Sequence, residues 1–107
     1  MTGKVTDKII KHFDAVGLAG VRSIEYRRLT MAPGAVKEGN MMFDDHAELC
    51  IVAKGTITVT LADGTKQTYK EGDIFIVPLG TKRKVVAADP KLGYEELYWR
   101  IQTKAHR

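Results

Sequence analysis

The segment from residue 63 to residue 84 constrains the fold more than any other, because it encodes strand, turn, strand and turn in order. Turn residues at Asp63-Gly64 and at Glu71-Gly72-Asp73 bracket a short strand, and both turns contain residues that tolerate positive φ. The apolar run Ile-Phe-Ile-Val follows at 74–77 and ends at Pro78-Leu79-Gly80. Short strands separated by tight turns predict an all-β domain.

Alternation of apolar and polar residues predicts further strands along the rest of the chain. Together with 74–77 they make roughly seven or eight short strands, with turns every eight to twelve residues, as in a sandwich or barrel. We expect a turn at Lys54-Gly55 and an irregular connection at 36–40. The predicted strands comprise residues 23–31, 46–53, 56–61, 66–69, 84–87 and 95–101.

A different periodicity precedes these strands. Residues 6–16 place four apolar side chains at helical spacing, with Thr6 as a candidate N-cap and Gly17 as a terminator, which predicts a short helix. The apolar stripe consists of Ile9, Ile10, Phe13 and Val16. We therefore divide the chain into an N-terminal helical extension at 1–20, a barrel domain at 21–103 and a basic tail at 104–107.

Composition excludes several classes of function. The 107 residues are enough for one domain with its own core. Seventeen Lys and Arg exceed thirteen Asp and Glu, for a net charge of +4, but the excess is spread along the chain, which argues against a nucleic-acid partner. Cys50 is the single cysteine, so no disulfide framework exists. No apolar run reaches the length of a bilayer and no signal sequence is evident, so we expect a cytoplasmic protein without a membrane partner.

Two short motifs resemble those of the cupin superfamily of small jelly-roll barrels. Gly39, His46, Glu48 and Gly55 follow the family's first motif, and the residues Gly72, Pro78 and Gly80 follow its second. The resemblance extends over about residues 22–101. It implies a jelly-roll β-barrel, preceded here by the predicted helix. The strand that contains Glu-Glu-Leu-Tyr-Trp is similar to the ethanolamine-utilisation subgroup of the family.

The chain departs from the family at the positions that usually hold a metal. The first motif commonly supplies two His and a Glu, but Glu48 replaces the second His, and Val52 or Ala53 stands at the Glu position. Arg83 replaces the His of the second motif, and Ala87 replaces its Asn. The resemblance therefore implies an altered metal site, which we regard as degenerate.

Alternation along a strand places Glu48 and Cys50 on the same face as His46. Two alternatives follow for a cofactor: a site without a metal, which we favour, or a divalent Zn, Fe, Mn or Ni ion held by His46 and Glu48. Arg83 cannot coordinate a metal. It either pairs with Glu48 inside the barrel, holds an anionic ligand, or points to solvent with Lys82 and Lys84. We interpret Cys50 as a buried core thiol.

The expected function is binding of a small polar or anionic metabolite by the barrel. The candidate ligand-binding residues are His46, Glu48, Cys50, Arg83, Tyr26, Arg28 and Tyr98. One alternative is a metal-dependent dioxygenase, isomerase or lyase that uses His46 and Glu48. A second is a sensory or accessory module without catalytic activity. Catalytic residues cannot be assigned from the sequence. The resemblance also implies a homodimer.

Overall fold

The protein is an all-β jelly-roll barrel, with eight strands in the part of the chain that the structure describes. A computed structural model describes residues 4–14, 17, 20–39, 46–61, 63–77 and 83–103. The strands are β1 (Val5–Asp14), β2 (Val21–Met31), β3 (Val36–Gly39), β4 (His46–Leu61), β5 (Lys66–Lys70), β6 (Ile74–Val77), β7 (Arg83–Ala87) and β8 (Tyr94–Thr103). They follow the order β1-β2-β8-β4-β7-β3, and β5 and β6 also pair with β4. Every pairing is antiparallel.

Strand β4 joins the two halves of the barrel. Its first part pairs with β8 and β6, and its second part pairs with β5 and β7. The register shifts between Val52 and Lys54, and Gly55 follows with a φ of +78°. The predicted turn at Lys54-Gly55 is therefore wrong: the chain bends here through a bulge and continues as one strand. The predicted connection at 36–40 is also wrong, because Val36–Gly39 forms β3.

The predicted N-terminal helix is wrong as well. Residues 5–14 form β1, which pairs with β2 from Val5↔Met31 to Asp14↔Ser23. Hydrogen bonds to β2 satisfy the backbone of this segment without a helix, and its β-branched residues suit a strand. The expected apolar stripe does not become a buried face, because Ile9, Ile10 and Phe13 are exposed. Val16 lies outside the described residues. No helix able to cross a membrane is found in the described segments.

The core fills the space between the two halves. Alternate residues point inward, so each strand contributes its buried positions to one interior. The buried apolar residues include Leu29, Met31, Cys50, Val52, Ile57, Val59, Phe75, Val77, Val85, Tyr94 and Tyr98. Near the start of β4 and the end of β8, charged side chains replace the apolar ones on this inner face. That part of the interior forms the candidate site.

Candidate functional site

Glu48 lies at the centre of the charged part of the interior. Its side chain is only 3% exposed. Arg83 on β7 donates from Nη2 to Glu48 Oε1 at 2.7 Å, and Arg100 on β8 donates from Nε to Oε2 at 3.2 Å. A carboxylate in this position requires partners, because an unpaired charge is very costly to bury. The structure therefore confirms the alternative in which Arg83 turns inward and pairs with Glu48.

The polar network continues from Arg100 towards β1. Tyr98 lies between Arg100 and Arg27, each guanidinium 6.0 Å from its ring centre. Tyr98 Oη donates to Asp7 Oδ2 at 2.6 Å. Asp7 also accepts from Arg27 Nε at 3.1 Å and from Lys37 Nζ at 3.2 Å. Burial opposes ionisation of Asp7, but these donors outweigh it and hold the pKa of its carboxyl below the ordinary range.

We call this network the charge cluster. Glu25 completes it, accepting a hydrogen bond from Arg27 Nη1 at 2.8 Å and lying 4.0 Å from Arg100 Nη1. Among the described residues, the cluster contains four cations and three carboxylates. The cations are Arg27, Lys37, Arg83 and Arg100, and the carboxylates are Asp7, Glu25 and Glu48.

A separate buried carboxyl, Glu96, lies two residues before Tyr98 on the same face of β8. Tyr94 Oη donates to Glu96 Oε1 at 2.6 Å. Burial raises the pKa of Glu96, which favours its neutral form. Burial also raises the pKa of the Cys50 thiol, so Cys50 is a poor nucleophile.

A cavity of about 200 Å³ adjoins the charge cluster at Arg83. It lies between β5, β6 and the second part of β4. The stacked rings of Tyr69 and Phe75, with centroids 4.2 Å apart, form one part of its lining. Gln67 and Arg83 are its polar residues. The aliphatic lining consists of Val59, Leu61, Ile76 and Val77.

Four of the predicted ligand-binding residues come together in this interior: Glu48, Cys50, Arg83 and Tyr98. Two others do not, since Tyr26 and Arg28 lie on the outer face of β2. Tyr26 stacks on Trp99 with ring centroids 5.1 Å apart, and Arg28 pairs with Glu95 at 3.0 Å. The backbone of His46 pairs with Gln102. The side chain of His46 and the whole of Lys82 lie outside what the structure describes.

Comparison with known families identifies the fold family. A model of the cupin domain matches residues 27–92, which is more than half of the chain. The chain belongs to the cupin domain family. This agrees with the resemblance seen in the sequence. No curated protein sequence matches this cupin chain.

Solved structures show the same fold at low sequence identity. KdgF from Halomonas sp. superposes with a TM-score of 0.71 at 21% identity, covering 94% of this chain and 82% of that one. EutQ from Clostridium difficile gives 0.68 at 16% identity, covering 96% and 71%. A protein from Klebsiella pneumoniae with a double-stranded β-helix domain gives 0.76 at 13% identity, covering 99% and 84%. At these identities the likeness concerns the fold alone.

The described residues, which do not include the side chain of His46, leave no free carboxylate at Glu48 for the metal that the resemblance implies. Both carboxylate oxygens of Glu48 accept from guanidinium groups. A dication beside Arg83 would be repelled by roughly 4 kcal/mol per unit charge at 4 Å in a medium of effective dielectric 20. Within the described ranges, no three His, Cys, Asp or Glu side chains are grouped so that they could hold a metal.

Several members of the charge cluster were not predicted from the sequence. Arg100 and Glu96 flank Tyr98 at a spacing of two, and Glu25 and Arg27 have the same spacing on β2. This alternation was a usable signal, because residues two apart share a strand face. The role of Asp7 and Lys37 carried no comparable signal, since it depends on contacts between β1 and β3.

Proposed function

We propose that this cupin domain binds a small polar or anionic metabolite inside the barrel, at the charge cluster, without a metal. The observation that carries the proposal is the largely buried guanidinium of Arg83, which lines the cavity and, among the described residues, uses one of its nitrogens to pair with Glu48. An anion in the cavity could accept from its remaining donors. The guanidinium also suits carboxylate and phosphate oxygens, because its donors form a planar fork.

Binding of malonate and of inorganic phosphate, measured by titration calorimetry at low salt, tests this proposal. We expect the unmodified protein to bind at least one of them and Arg83→Gln to weaken that binding about ten-fold or more, as for loss of a charge-assisted contact. Arg28→Gln is the matched control, because it removes the same charge from the outer face. If Arg28→Gln weakens binding and Arg83→Gln does not, the interior site is wrong and the outer-face candidates Tyr26 and Arg28 are favoured.

The metal-free part of the proposal has its own test. Metal analysis of protein purified without added metal should find no stoichiometric Zn, Fe, Mn or Ni. The contacts of Glu48 with Arg83 and Arg100 support this expectation, because they occupy the carboxylate that a metal would need. A stoichiometric ion that is lost in His46→Ala would overturn it and favour the metal-dependent enzyme.

A second candidate function is that of a sensory or accessory module that acts as a homodimer. The observation that favours it is an apolar surface on the outer face of five neighbouring strands, β1, β2, β8, β4 and β6. Register pairs align its side chains in rows across the strands. Ile74 and Ile76 are 63% and 67% exposed. The rows contain Phe13, Ile24, Ile101 and Ala47; Tyr26, Trp99, Leu49 and Ile76; and Leu97, Ile51 and Ile74.

The size of this outer face suits a second copy of the chain. Five strands and three rows of side chains make a face of roughly 500 Å², at the upper end of what monomers expose. It could form the apolar core of an interface that buries about 800 Å² per partner.

Light scattering during size-exclusion chromatography tests the homodimer. We expect a dimer for the unmodified protein and a monomer for Ile76→Lys, because a charge introduced on this apolar face must lose its hydration on association. Leu92→Lys is the control, since Leu92 is also exposed but lies in the turn before β8. A monomeric unmodified protein, or a dimer that persists in Ile76→Lys, would contradict this interface.

A further inference from the structure

The two polar residues of the cavity both present hydrogen-bond donors. Tyr69 Oη donates to Gln67 Oε1 at 2.7 Å. The other polar group of Gln67 is its Nε2 amide, which is a hydrogen-bond donor. Arg83 has five N–H donors, and within the described residues it donates one hydrogen bond, from Nη2 to Glu48. A ligand of this cavity must therefore supply acceptors at the Gln67 and Arg83 positions.

These donors lie towards the same end of the barrel. Leu61 pairs with Arg83 across β4 and β7, and Val59 pairs with Gln67 across β4 and β5. Both donors are therefore close to the Asp63-Gly64 turn. The rest of the lining is aromatic or aliphatic. The cavity thus has a donor end and an apolar body, which is the complement of an amphiphilic anion rather than of a fully polar one.

The volume limits the size of that anion. At the packing density of protein interiors, 200 Å³ accommodates roughly 150 Å³ of ligand. A single aromatic ring with one carboxylate fits this volume, and so does a short branched-chain acid. Drug-sized ligands need larger pockets, of about 300 Å³ or more.

We infer that the cavity selects a small monocarboxylic acid with an apolar or aromatic body, its carboxylate at Arg83 and Gln67 and its body between Leu61 and the Tyr69–Phe75 pair. This inference rests on the proposed function, since both place the anion at Arg83. It goes further by naming the chemical class of the ligand and the surface that recognises its uncharged part.

Three probes separate the contributions of charge and apolar body: benzoate, acetate and benzyl alcohol. We expect benzoate to bind about ten-fold or more tightly than acetate, because its ring removes apolar surface from water. We expect benzyl alcohol to bind about ten-fold or more weakly than benzoate, because it lacks the charge that Arg83 contacts. Ligand-observed NMR titration gives all three affinities.

Two variants assign the contacts without removing Arg83 from its pair with Glu48. Leu61→Phe should fill the cavity and weaken benzoate binding about ten-fold, and it should weaken acetate binding less. Gln67→Leu should weaken both acids by loss of a donor. Circular dichroism and thermal unfolding check that both variants fold.

The outcomes distinguish this inference from the proposed function. Equal affinities for benzoate and acetate, both reduced in Arg83→Gln, would retain an anion site and overturn the apolar selectivity. Benzyl alcohol bound as tightly as benzoate would overturn the role of Arg83 in recognising the carboxylate. Absence of Arg83-dependent binding by benzoate, acetate, malonate and phosphate would overturn both proposals.

Discussion

Glu48 shows how one buried residue organises the interior of this barrel. Its two oxygens accept from Arg83 and Arg100, which come from strands on either side of β4. The planar guanidinium groups match a carboxylate well and keep their charge at all relevant pH values. Glu48 therefore links β4, β7 and β8 at the point where a metal would otherwise be expected.

Replacing Glu48 should destabilise the protein strongly. Glu48→Gln leaves two enclosed guanidinium groups without their counter-charge, and we expect the free energy of unfolding to fall by about 3 kcal/mol or more. Urea denaturation at pH 7 measures the change. Glu95→Gln is the control, because Glu95 pairs with the exposed Arg28 and should cost less than about 1 kcal/mol. Similar losses in both variants would contradict this account of Glu48.

Glu96 predicts a dependence of stability on pH. Burial raises its pKa, so the folded protein holds a proton that the unfolded chain releases above about pH 4.3. The unfolded state then binds fewer protons, and this residue lowers stability as pH rises towards the pKa of the folded state. Its surroundings include Tyr94, Cys50, Arg83 and Glu48.

Glu96→Gln isolates this effect, because the amide cannot ionise but can still accept from Tyr94. We expect the stability of the variant relative to the unmodified protein to increase from pH 4 to pH 8, as measured by urea denaturation across that range. Glu71→Gln, at an exposed turn, should show no such trend. A constant difference for Glu96→Gln would mean that Glu96 is ionised in the folded protein.

At the scale of elements, β4 depends on one glycine. Gly55 has a φ of +78°, and a Cβ there would lie 2.0 Å from the carbonyl oxygen of Gly93. Both the positive φ and the close approach of the two backbones exclude a side chain. The closing glycine of the first cupin motif therefore serves the bend by which β4 passes from one half of the barrel to the other.

Gly55→Ala should disrupt that bend. We expect the free energy of unfolding to fall by more than about 2 kcal/mol. An unfavourable φ costs about 1–2 kcal/mol, and the clash of the Cβ with the Gly93 carbonyl oxygen adds to it. Gly72→Ala is the control. Gly72 has a φ of +91° with open space where its Cβ would lie, so this variant should lose only the stability that an unfavourable φ costs. Thermal unfolding compares the two. Equal effects would show that the contact with Gly93 contributes nothing.

At the scale of the molecule, an ion pair joins strands from the two ends of the main sheet path. Asp7 lies on β1 and Lys37 on β3, the terminal strands in the order β1-β2-β8-β4-β7-β3. Tyr98 and Arg27 donate to the same carboxylate from the neighbouring strands. Asp7 therefore connects β1 across the interior to strands with which β1 does not pair.

Asp7→Asn should loosen β1 from the barrel. We expect the free energy of unfolding to fall by about 2 kcal/mol, the value of a hydrogen bond to a charged group. We also expect faster amide exchange in β1 than in β4. The lowered pKa of Asp7 means that its contribution is present above about pH 4 and is lost as pH falls through the pKa of the folded state. Asp14→Asn, at the exposed end of β1, should change stability by less than about 0.5 kcal/mol. Unchanged exchange in β1 of Asp7→Asn would contradict the connecting role.

The sequence predicted the barrel because its information is local. Turns at Asp63-Gly64 and Glu71-Asp73, together with alternation in β4 and β8, specify strands without knowledge of their partners. Alternation also placed Glu48 and Cys50 on one face of their strand. The same reasoning failed for β1, since its apolar spacing suits a helix and only pairing with β2 makes it a strand.

The sequence alone thus determined the all-β class, the cupin family and the shared strand face of Glu48 and Cys50, because turn chemistry and strand periodicity act between near neighbours. Tertiary structure decided that β1 is a strand, that Arg100 shares Glu48 with Arg83, and that Asp7 meets Lys37. These outcomes depend on which distant strands pair and how the sheet curls. The charge of the interior, and with it the proposed ligand, follows from those long-range contacts.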